Sequence, residues 1–403
     1  MRVILVGGCV LALTGCDLYF GHFGQPPGVD VHGEGTPDAT VADAVSQASP
    51  DARSDAAPDA GVPLTGVDAI AVGAGHACVT VGGRVLCWGE NTWGQLGNGS
   101  TRSSAVPIEV PGLPGAVQAI AAGGEHTCAI VDGGVWCWGR TSSVSGAWNT
   151  PSTVPVAVAG LDRDVQAIAV GQEHACAIVD GGVWCWGRGD YGQLGNGVES
   201  TATPVQVAGL TGGVQAIALG AVHTCAIVNG GATCWGSEYY GQLGDAYGGT
   251  DVWATSPPVP VVGLDGGVQA IAADGDHSCA LVNGGIQCWG DSTAYTEVLP
   301  PSNVPVAVAG LTADVGALAD GAWFDCALTT GAVECWGTNF LGQLGNGTTT
   351  ANATPAAVEG LPDNPQLLAA NYQSACVVVD GGVWCWGEWT DGVHTSPTRV
   401  LAP

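Results

Sequence analysis

The chain has 403 residues, of which 36 are Asp or Glu and only eight are Arg, and its formal net charge is −28. It contains no lysine. Phosphate binding depends on a basic surface that this composition lacks, so nucleic acid is disfavoured as a partner.

The N-terminus has the features of an export signal. The apolar segment 3–13 is too short to span a membrane as a mature helix. The next residues, Leu13-Thr14-Gly15-Cys16, resemble the bacterial lipobox, whose cysteine becomes the lipidated first residue of the mature chain. We therefore expect residues 1–15 to be a lipoprotein signal peptide and Cys16 to carry lipid, with palmitate among its acyl chains. Ordinary secretory cleavage near a chance cysteine is the alternative.

Residues 16–63 show no hydrophobic periodicity. They are rich in Pro, Asp and Ala and carry eight acidic side chains against the single Arg53. Such a segment buries too little apolar surface to offset its ordering entropy, so we predict a disordered tether. Square-root scaling for flexible linkers gives it a coil dimension of about 40 Å, enough to hold a following domain clear of a membrane.

From residue 64 to 403 a pair of cysteines recurs seven times with a fixed internal spacing. The spacing between successive pairs varies from 47 to 54 residues, which is typical of a rigid unit inside repeats with variable loops. The pairs are Cys78 and Cys87, Cys128 and Cys137, Cys176 and Cys185, Cys225 and Cys234, Cys279 and Cys288, Cys326 and Cys335, and Cys376 and Cys385.

The spacing within each pair predicts a β-hairpin. The two central residues are mostly Gly, Asn or Asp, as in Asp132-Gly133, and these tolerate the positive φ angles of a type I′ turn. Counting outward from the turn, the cysteines form the fourth cross-strand pair, a non-hydrogen-bonded position with Cα atoms about 4.5 Å apart. A disulfide spans that distance, so each hairpin is expected to be covalently closed.

Two other readings of the cysteines remain at this stage. The thiols are free and buried, or each pair joins the preceding histidine in a metal site. The metal reading supplies only three ligands per repeat, and two repeats lack the histidine. We predict seven disulfides and no metal, in keeping with an exported protein.

Each repeat predicts four short strands and no helix. An apolar strand such as 117–121, with cognates that begin at Val67, Val165, Val214, Val268 and Val315, precedes the hairpin, and a proline-containing strand follows it. Seven such units predict an all-β fold, a seven-bladed β-propeller over residues 64–403.

The residues after the second cysteine resemble a known repeat. The run from Cys87 to Gly99 looks like the signature of the regulator of chromosome condensation repeat, and its Gly-Gln-Leu-Gly element at Gly94 returns at Gly192, Gly241 and Gly342. The resemblance covers residues 64–403 and implies a seven-bladed propeller whose loop faces bind proteins. The nuclear exchange activity that names the family is not expected of an exported protein.

Three repeats depart from that signature. The Gly-Gln-Leu-Gly element is missing after Cys137, Cys288 and Cys385. Loops that abandon a structural motif are free to carry binding specificity, although relaxed drift explains the change equally well.

Tryptophan and other aromatic residues fall into two groups. One Trp follows each second cysteine, and this regular position predicts packing against the neighbouring blade. The photoreceptor role known in the family is not expected, because the matching residues 123–127 lack its Trp and Arg. Irregular aromatics in the loops after the hairpins are candidates for ligand binding. These are Trp93, Trp148, Tyr191, Tyr239, Tyr240, Tyr295, Phe340 and Trp389.

A histidine stands two residues before the first cysteine in five repeats, where Phe324 and Ser374 occupy the position in the last two. Catalysis rarely needs five copies, so we predict side chains that are hydrogen-bonded at blade junctions. Two acidic pairs, Asp274 with Asp276 and Asp162 with Asp164, invite a calcium or acid/base role, yet neither sits in a complete calcium-loop pattern.

Two classes of function remain. The first is a binding module, displayed on a bacterial cell envelope by a lipid anchor, that recognises through propeller loops an extracellular or envelope protein, or another extracellular ligand such as the cell wall. The second is an extracellular hydrolase or lyase with an acidic site in the central funnel. No catalytic motif and no cofactor signature supports the second, and we favour the first.

Overall fold

The computed structural model describes residues 62–140, 151–247, 255–291 and 301–403. Within these ranges 28 strands form seven antiparallel sheets, each with four strands in sequential order. The predicted seven-bladed β-propeller is therefore confirmed. Its described residues include no helix with the length and apolarity that crossing a membrane requires.

The first four blades are built alike. Their strands are β1 (Val67–Gly73), β2 (His76–Val81), β3 (Arg84–Gly89), β4 (Ser104–Glu109), β5 (Val117–Ala122), β6 (His126–Val131), β7 (Gly134–Arg140), β8 (Pro151–Ala157), β9 (Val165–Val170), β10 (His174–Val179), β11 (Gly182–Arg188), β12 (Ser200–Gln206), β13 (Val214–Leu219), β14 (His223–Val228), β15 (Gly231–Gly236) and β16 (Thr255–Pro260).

Blades 5 to 7 follow the same plan. Their strands are β17 (Val268–Asp274), β18 (His277–Val282), β19 (Gly285–Gly290), β20 (Ser302–Ala307), β21 (Val315–Asp320), β22 (Phe324–Thr329), β23 (Ala332–Gly337), β24 (Asn352–Ala357), β25 (Pro365–Asn371), β26 (Ser374–Val379), β27 (Gly382–Trp389) and β28 (Gly392–Arg399). The sequence pattern did not predict the first strand of blade 7, because this strand begins with Pro365 instead of valine. The first strand of every blade packs against the first strands of both neighbours, so these seven strands surround the axis.

The hairpins have the predicted register. In blade 1 the pairs run outward from Val81↔Arg84 to Cys78↔Cys87, the fourth pair from the turn. Both central turn residues have positive φ in six blades, whereas in blade 6 only Gly331 does, and the β-branched Thr330 does not.

Every hairpin is closed by a disulfide between its own two cysteines. The paired Cα atoms are 4.1 Å apart in all seven bridges, slightly closer than the separation expected from the register. These fourteen cysteines are therefore neither free thiols nor metal ligands in the structure. The bridges join Cys78 to Cys87, Cys128 to Cys137, Cys176 to Cys185, Cys225 to Cys234, Cys279 to Cys288, Cys326 to Cys335 and Cys376 to Cys385.

A bulge near the start of each first strand explains the recurring Val-Gln-Ala sequence. The register shifts between Val117 and Ala119, which releases Gln118 from the ladder. The side chain of Gln118 then accepts a hydrogen bond from Gly133 N in the hairpin turn of the same blade, at 2.7 Å. Matching bonds occur in blades 3, 4 and 5.

The two ends of the described chain close the ring. In blade 2 the turn after the outer strand is fixed by Val158 N bonding to Val135 O and by Leu161 N bonding to Val158 O. In blade 7 Val400 takes the place of Val158, but Leu64, from before the first blade, takes the place of Leu161 and donates to Val400 O at 3.2 Å. Blade 7 is thus completed by the residues that precede blade 1.

The tryptophans after the second cysteines lie between blades, as predicted. Trp186 is 1 % exposed and packs into a cluster of blade 2 that includes Ile130, Val135 and Leu161. Trp138, Trp235 and their counterparts occupy the same position at the other junctions. Each junction has a small apolar core with one indole ring at its centre.

We expect loss of one disulfide to weaken a blade without unfolding the domain. Replacing both Cys176 and Cys185 by Ala should lower the free energy of unfolding by less than about 3 kcal/mol, because the bridge closes only about ten residues. Chemical denaturation measures this change. In the unaltered chain, non-reducing peptide mapping should find seven bridges between nearest neighbours, and a bridge between repeats would contradict the hairpin argument.

Candidate functional site

One face of the propeller collects most of the candidate residues. Because consecutive strands of a blade are antiparallel, the turn between its first and second strands and the loop between its third and fourth strands emerge on the same side. We call this side the loop face. Among the described loop aromatics predicted to bind ligand, Trp93, Tyr191, Tyr239, Tyr240 and Phe340 follow a third strand and Trp389 ends one, so they belong to this face.

The Gly-Gln-Leu-Gly loops tie this face to the next blade. The carbonyl oxygen of Gln95 accepts a hydrogen bond from Trp138 Nε1 at 2.8 Å and another from Thr127 Oγ1 at 3.0 Å, both in blade 2. The same hydroxyl lies 2.9 Å from His76 Nε2. Since Thr127 gives its only proton to Gln95, the Nε2 of His76 must be protonated and donate.

Two further junctions repeat this network. His174 and His223 contact Thr224 Oγ1 and Ser278 Oγ at 2.9 and 2.8 Å, and each hydroxyl donates to the glutamine carbonyl of the preceding blade. In blade 3, whose preceding blade lacks the loop, the hydroxyl position is Ala175. The junction hydrogen bond predicted for the histidines is confirmed for His76, His174 and His223. Burial lowers the pKa of His76 to about 4 and of His174 and His223 to about 3, so these rings are neutral.

The junction between blades 5 and 6 differs in its charge. His277 Nε2 lies 2.8 Å from an oxygen of Asp325, where junctions 1/2, 3/4 and 4/5 have a hydroxyl. Burial lowers the pKa of His277, but Asp325, Asp320 and Asp274 outweigh it and raise the pKa to about 10. Asp274 accepts hydrogen bonds from the amides of Gly275 and of residue 372, the latter at 3.2 Å. This pairing of one imidazole with three buried carboxylates has no sequence motif and was not predicted.

The loop aromatics differ in how far they are covered. Arg140 lies over the ring of Trp93 at 4.9 Å, and Arg188 lies over Tyr191 at 5.2 Å. Trp389 stacks on Trp88 with ring centroids 6.5 Å apart. These three candidates are only partly exposed. Trp148 and Tyr295 lie outside the described residues, as does Cys16.

Tyr239, Tyr240 and Phe340 are the exposed members of the set, at 42, 40 and 59 %. Tyr239 and Tyr240 form an edge-to-face pair with ring centroids 4.7 Å apart on the loop of blade 4. Burial and the carboxylates of Asp276 and Asp291, on blade 5, raise the pKa of Tyr240. We give the name tyrosine patch to Tyr239, Tyr240, Asp276 and Asp291.

Asp276 is the carboxylate at the centre of this patch. Gln242 Nε2 donates to it at 3.3 Å. Burial and the neighbouring Asp291 raise the pKa of Asp276 to about 6, against an opposing effect of His277. Asp276 is therefore mostly ionised at neutral pH, next to an exposed aromatic pair. The two acidic residues paired in the sequence point in different directions, Asp274 toward blades 6 and 7 and Asp276 toward blade 4.

The rest of the loop face is strongly acidic. Burial and repulsion from Glu125 and Glu388 raise the pKa of Glu90, which shows that carboxylates of blades 1, 2 and 7 crowd together. Two arginines form ion pairs with other carboxylates of this face: Arg140 lies 2.7 Å from Glu125, and Arg188 lies 2.6 Å from Glu173.

A second feature is a cleft of about 220 Å³ between blades 7 and 1. It is lined by Trp88, Trp389, Asp391, His394 and Arg399 among others.

In blade 4 a carboxyl group replaces a structural amide. In blade 1 the side chain of Asn91 donates to Asn98 Oδ1 at 3.3 Å and accepts from Leu96 N at 2.9 Å, which fixes the loop. The matching residues of blade 4 are Glu238 and Asp245. A carboxyl group donates only when protonated, and burial and Asp245 raise the pKa of Glu238 to about 8.

Comparison with known proteins finds a family model that matches two parts of the chain. The family model described as the regulator of chromosome condensation (RCC1) repeat matches residues 82–130 and 180–227, and a second model of that repeat matches residues 165–193. No curated protein sequence is significantly similar to the chain.

Several solved structures share the fold. Human WBSCR16 is 24 % identical with a TM-score of 0.68, over 78 % of this chain and 87 % of that one. Prp20p from Saccharomyces cerevisiae, described with its binding to Gsp1p and histones, is 22 % identical with a TM-score of 0.67, over 76 % and 81 %. Yeast RCC1 (Prp20) bound to Kap60 is 20 % identical with a TM-score of 0.67, over 90 % and 91 %.

We expect the blade 4 loop to weaken as pH rises. The pKa of Glu238 is raised on folding, so its contribution to stability is complete below its ordinary pKa and is lost as pH rises through about 8. Glu238→Gln should therefore be more stable than the unaltered chain at pH 9, by about 1–3 kcal/mol, because an amide needs no proton to donate. Chemical denaturation at pH 6 and pH 9 measures the difference. Glu109→Gln, at an exposed position, is the control; an equal effect there would contradict the assignment.

Proposed function

Because the chain carries repeats of the regulator of chromosome condensation family on a seven-bladed propeller, we propose that it is a protein-binding module. In this proposal the loop face contacts the partner, and the tyrosine patch of Tyr239, Tyr240, Asp276 and Asp291 is the centre of the contact. The observation that supports this proposal most directly is the exposed aromatic pair, which lies on a rigid scaffold beside two carboxylates. Interfaces favour such aromatic anchors, because few rotatable bonds are fixed on binding.

The chemistry of the patch selects a basic partner. A lysine or arginine side chain that reaches the ring of Tyr240 would gain a cation–π contact and an ion pair with Asp276 or Asp291. The propeller itself has 28 acidic side chains and six arginines over residues 64–403. Its field attracts a positively charged partner and speeds encounter at low salt.

The structural neighbours support a protein as the ligand. Prp20p is described with its binding to Gsp1p and histones, and yeast RCC1 was solved with Kap60. Every one of these ligands is a protein. Their identities do not transfer at 20–22 % identity, and the exchange activity of the family is not part of the proposal.

The enzyme alternative has less support. A glycoside hydrolase uses two carboxylates on either side of its substrate. Asp276, whose pKa is raised by burial and by its neighbour Asp291, offers the nearest approach to such a pair. Neither of them lines the cleft between blades 7 and 1. The inner strands contribute Asp68, Asp274 and Asp320; Asp68 accepts a hydrogen bond at a hairpin turn, Asp274 accepts one at a blade junction, and Asp320 is buried at the junction of blades 5 and 6. We therefore keep binding as the function.

The anchor belongs to the same proposal. A lipid on Cys16 and a tether over residues 16–63 would place the propeller on the extracytoplasmic side of a bacterial envelope membrane, with reach to a neighbouring protein. Seven disulfides suit that oxidising location. The lipobox match at residues 13–16 is the support for the lipid.

Replacement of Cys16 tests the anchor. Cys16→Ser should move the protein from the membrane to the soluble fraction and abolish incorporation of labelled palmitate, because the thiol is the acceptor of the lipid. Fractionation and fatty-acid labelling measure both effects. Cys9→Ser is the matched control and should change neither. Membrane association that survives Cys16→Ser would reject the anchor.

Truncation of Tyr240 tests the interface. Tyr240→Ala should reduce the amount of protein cross-linked to the full-length chain on intact cells at least about tenfold, since a central aromatic commonly contributes about 2 kcal/mol or more. The melting temperature should stay nearly unchanged because the side chain is 40 % exposed. Quantitative mass spectrometry of the cross-linked species provides the measurement.

Two controls bracket that experiment. Val306→Ala removes an exposed apolar side chain from an outer strand and should leave capture unchanged. Trp186→Ala should instead lower the free energy of unfolding by about 3–5 kcal/mol through a cavity between blades. Normal capture by both Tyr240→Ala and Asp276→Asn would show that the tyrosine patch is not the contact.

A further inference from the structure

The junction between blades 5 and 6 gathers groups that can ligate a cation. His277, Asp320, Asp325 and Cys279 each place one potential ligand atom within 4.8 Å of the others, and all four residues are buried. Cys279 is in a disulfide and is not a thiolate ligand. One imidazole and two carboxylates remain, and they come from two different blades.

Among these residues, Asp320 has a carboxylate that receives no hydrogen bond from the described part of the protein. Its residue is 1 % exposed, and neither carboxylate oxygen accepts a hydrogen bond within the part of the chain that the structure describes. A buried carboxylate without a donor or a cation beside it is strongly destabilising. The hydrogen bond of His277 goes to Asp325 instead. The other blades have apolar residues at the matching position, namely Val72, Ala122, Val170, Leu219, Ala273 and Ala370.

We propose that His277, Asp320 and Asp325 bind one small divalent transition-metal ion, for which Zn²⁺ is the best match. Ligand atoms about 2.0–2.2 Å from a shared Zn²⁺ are at most about 4.4 Å from one another. The potential ligand atoms all lie within 4.8 Å of one another, and His277 Nε2 is 2.8 Å from Asp325, so only small side-chain shifts are needed. Asp274 or a water molecule would complete the shell.

The donor set selects the class of metal. Ca²⁺ takes about six to eight oxygen ligands and Mg²⁺ usually keeps several waters, which a fully buried pocket with an imidazole does not provide. An imidazole with carboxylates suits Zn²⁺, and Mn²⁺ binds more weakly to the same donors. Two carboxylates and a neutral imidazole also balance the ion's two charges, whereas without the ion a single imidazolium at His277 faces both Asp320 and Asp325.

The ion would couple two blades that lack the usual connection. At junctions 1/2, 3/4 and 4/5 a Gly-Gln-Leu-Gly carbonyl and a hydroxyl join the blades. The sequence after Gly290 does not contain that element, and blade 6 has Asp325 at the hydroxyl position. The metal therefore links His277 of blade 5 to Asp320 and Asp325 of blade 6 in place of the hydroxyl network.

Metal content and binding test the site on the full-length chain. Protein produced in zinc-supplied cells should contain about one Zn²⁺ per chain by elemental analysis. After dialysis against a chelator, titration calorimetry should show one site that prefers Zn²⁺ to Mn²⁺ and Ca²⁺. A Zn²⁺ concentration about 100 times the Kd should raise the melting temperature by at least about 2 °C.

Matched variants separate this site from adventitious binding. Asp320→Asn is nearly isosteric and removes a buried charge, so it should fold, yet its affinity for Zn²⁺ should fall at least about 100-fold. His277→Gln should show the same loss. His223→Gln is the control, because it loses an equivalent junction hydrogen bond to Ser278 without touching a carboxylate, and it should keep the ion. Wild-type protein without Zn²⁺ affinity, or equal affinity in Asp320→Asn, would overturn the proposal and leave Asp320 and Asp325 sharing a proton.

Discussion

The indole ring between each pair of blades is the contact on which the propeller depends. A propeller blade cannot bury both of its faces alone, and in this chain one tryptophan per junction fills the wedge that the twisted sheets leave between them. At four junctions the ring also donates Nε1–H to a glutamine carbonyl of the preceding blade, at 2.7–2.9 Å. That bond fixes the ring in one orientation, and the loop that accepts it becomes part of the next blade's core.

Three junctions lack the Gly-Gln-Leu-Gly sequence, and at two of them the described residues show different contacts in its place. Between blades 7 and 1, Trp389 stacks on Trp88 and bonds to Trp386 O at 3.1 Å, which covers the ring with a second aromatic side chain. Between blades 5 and 6 the hydroxyl of the usual network is exchanged for the carboxylate of Asp325. Symmetry is thus broken at the points where the family signature disappears. The backbone scaffold tolerates this because every blade also has its own disulfide and its own local hydrogen bonds.

The sequence predicted the features that depend on near neighbours. Turn residues such as Asp132-Gly133 fixed the hairpin register, and the register placed Cys128 opposite Cys137, because side chains alternate with a period of two and the turn sets the count. The sequence indicated that the tryptophans and histidines lie between blades, but their partners were out of reach, because these contacts join residues about 50 positions apart and depend on how two sheets pack. Neither the bond between Asp274 and residue 372, 98 positions apart, nor the arginine that covers Trp93 has a local pattern.

The segment Asp274-Gly275-Asp276-His277 connects the two sites inferred on blade 5. The side chains of Asp274 and Asp276 point in different directions. Asp276 lies beside Tyr240 of blade 4, while Asp274 accepts a hydrogen bond from the amide of residue 372 in blade 7. His277 follows directly and bonds to blade 6. In blades 1 to 4 the position of Asp274 is glycine, and a Cβ at Gly73 would clash with the ring of His76. An acidic residue here therefore required local rearrangement. An ion bound to His277 would restrict the motion of this segment. Because Asp276 is the adjacent residue and belongs to the tyrosine patch, the ion would also make the patch more rigid.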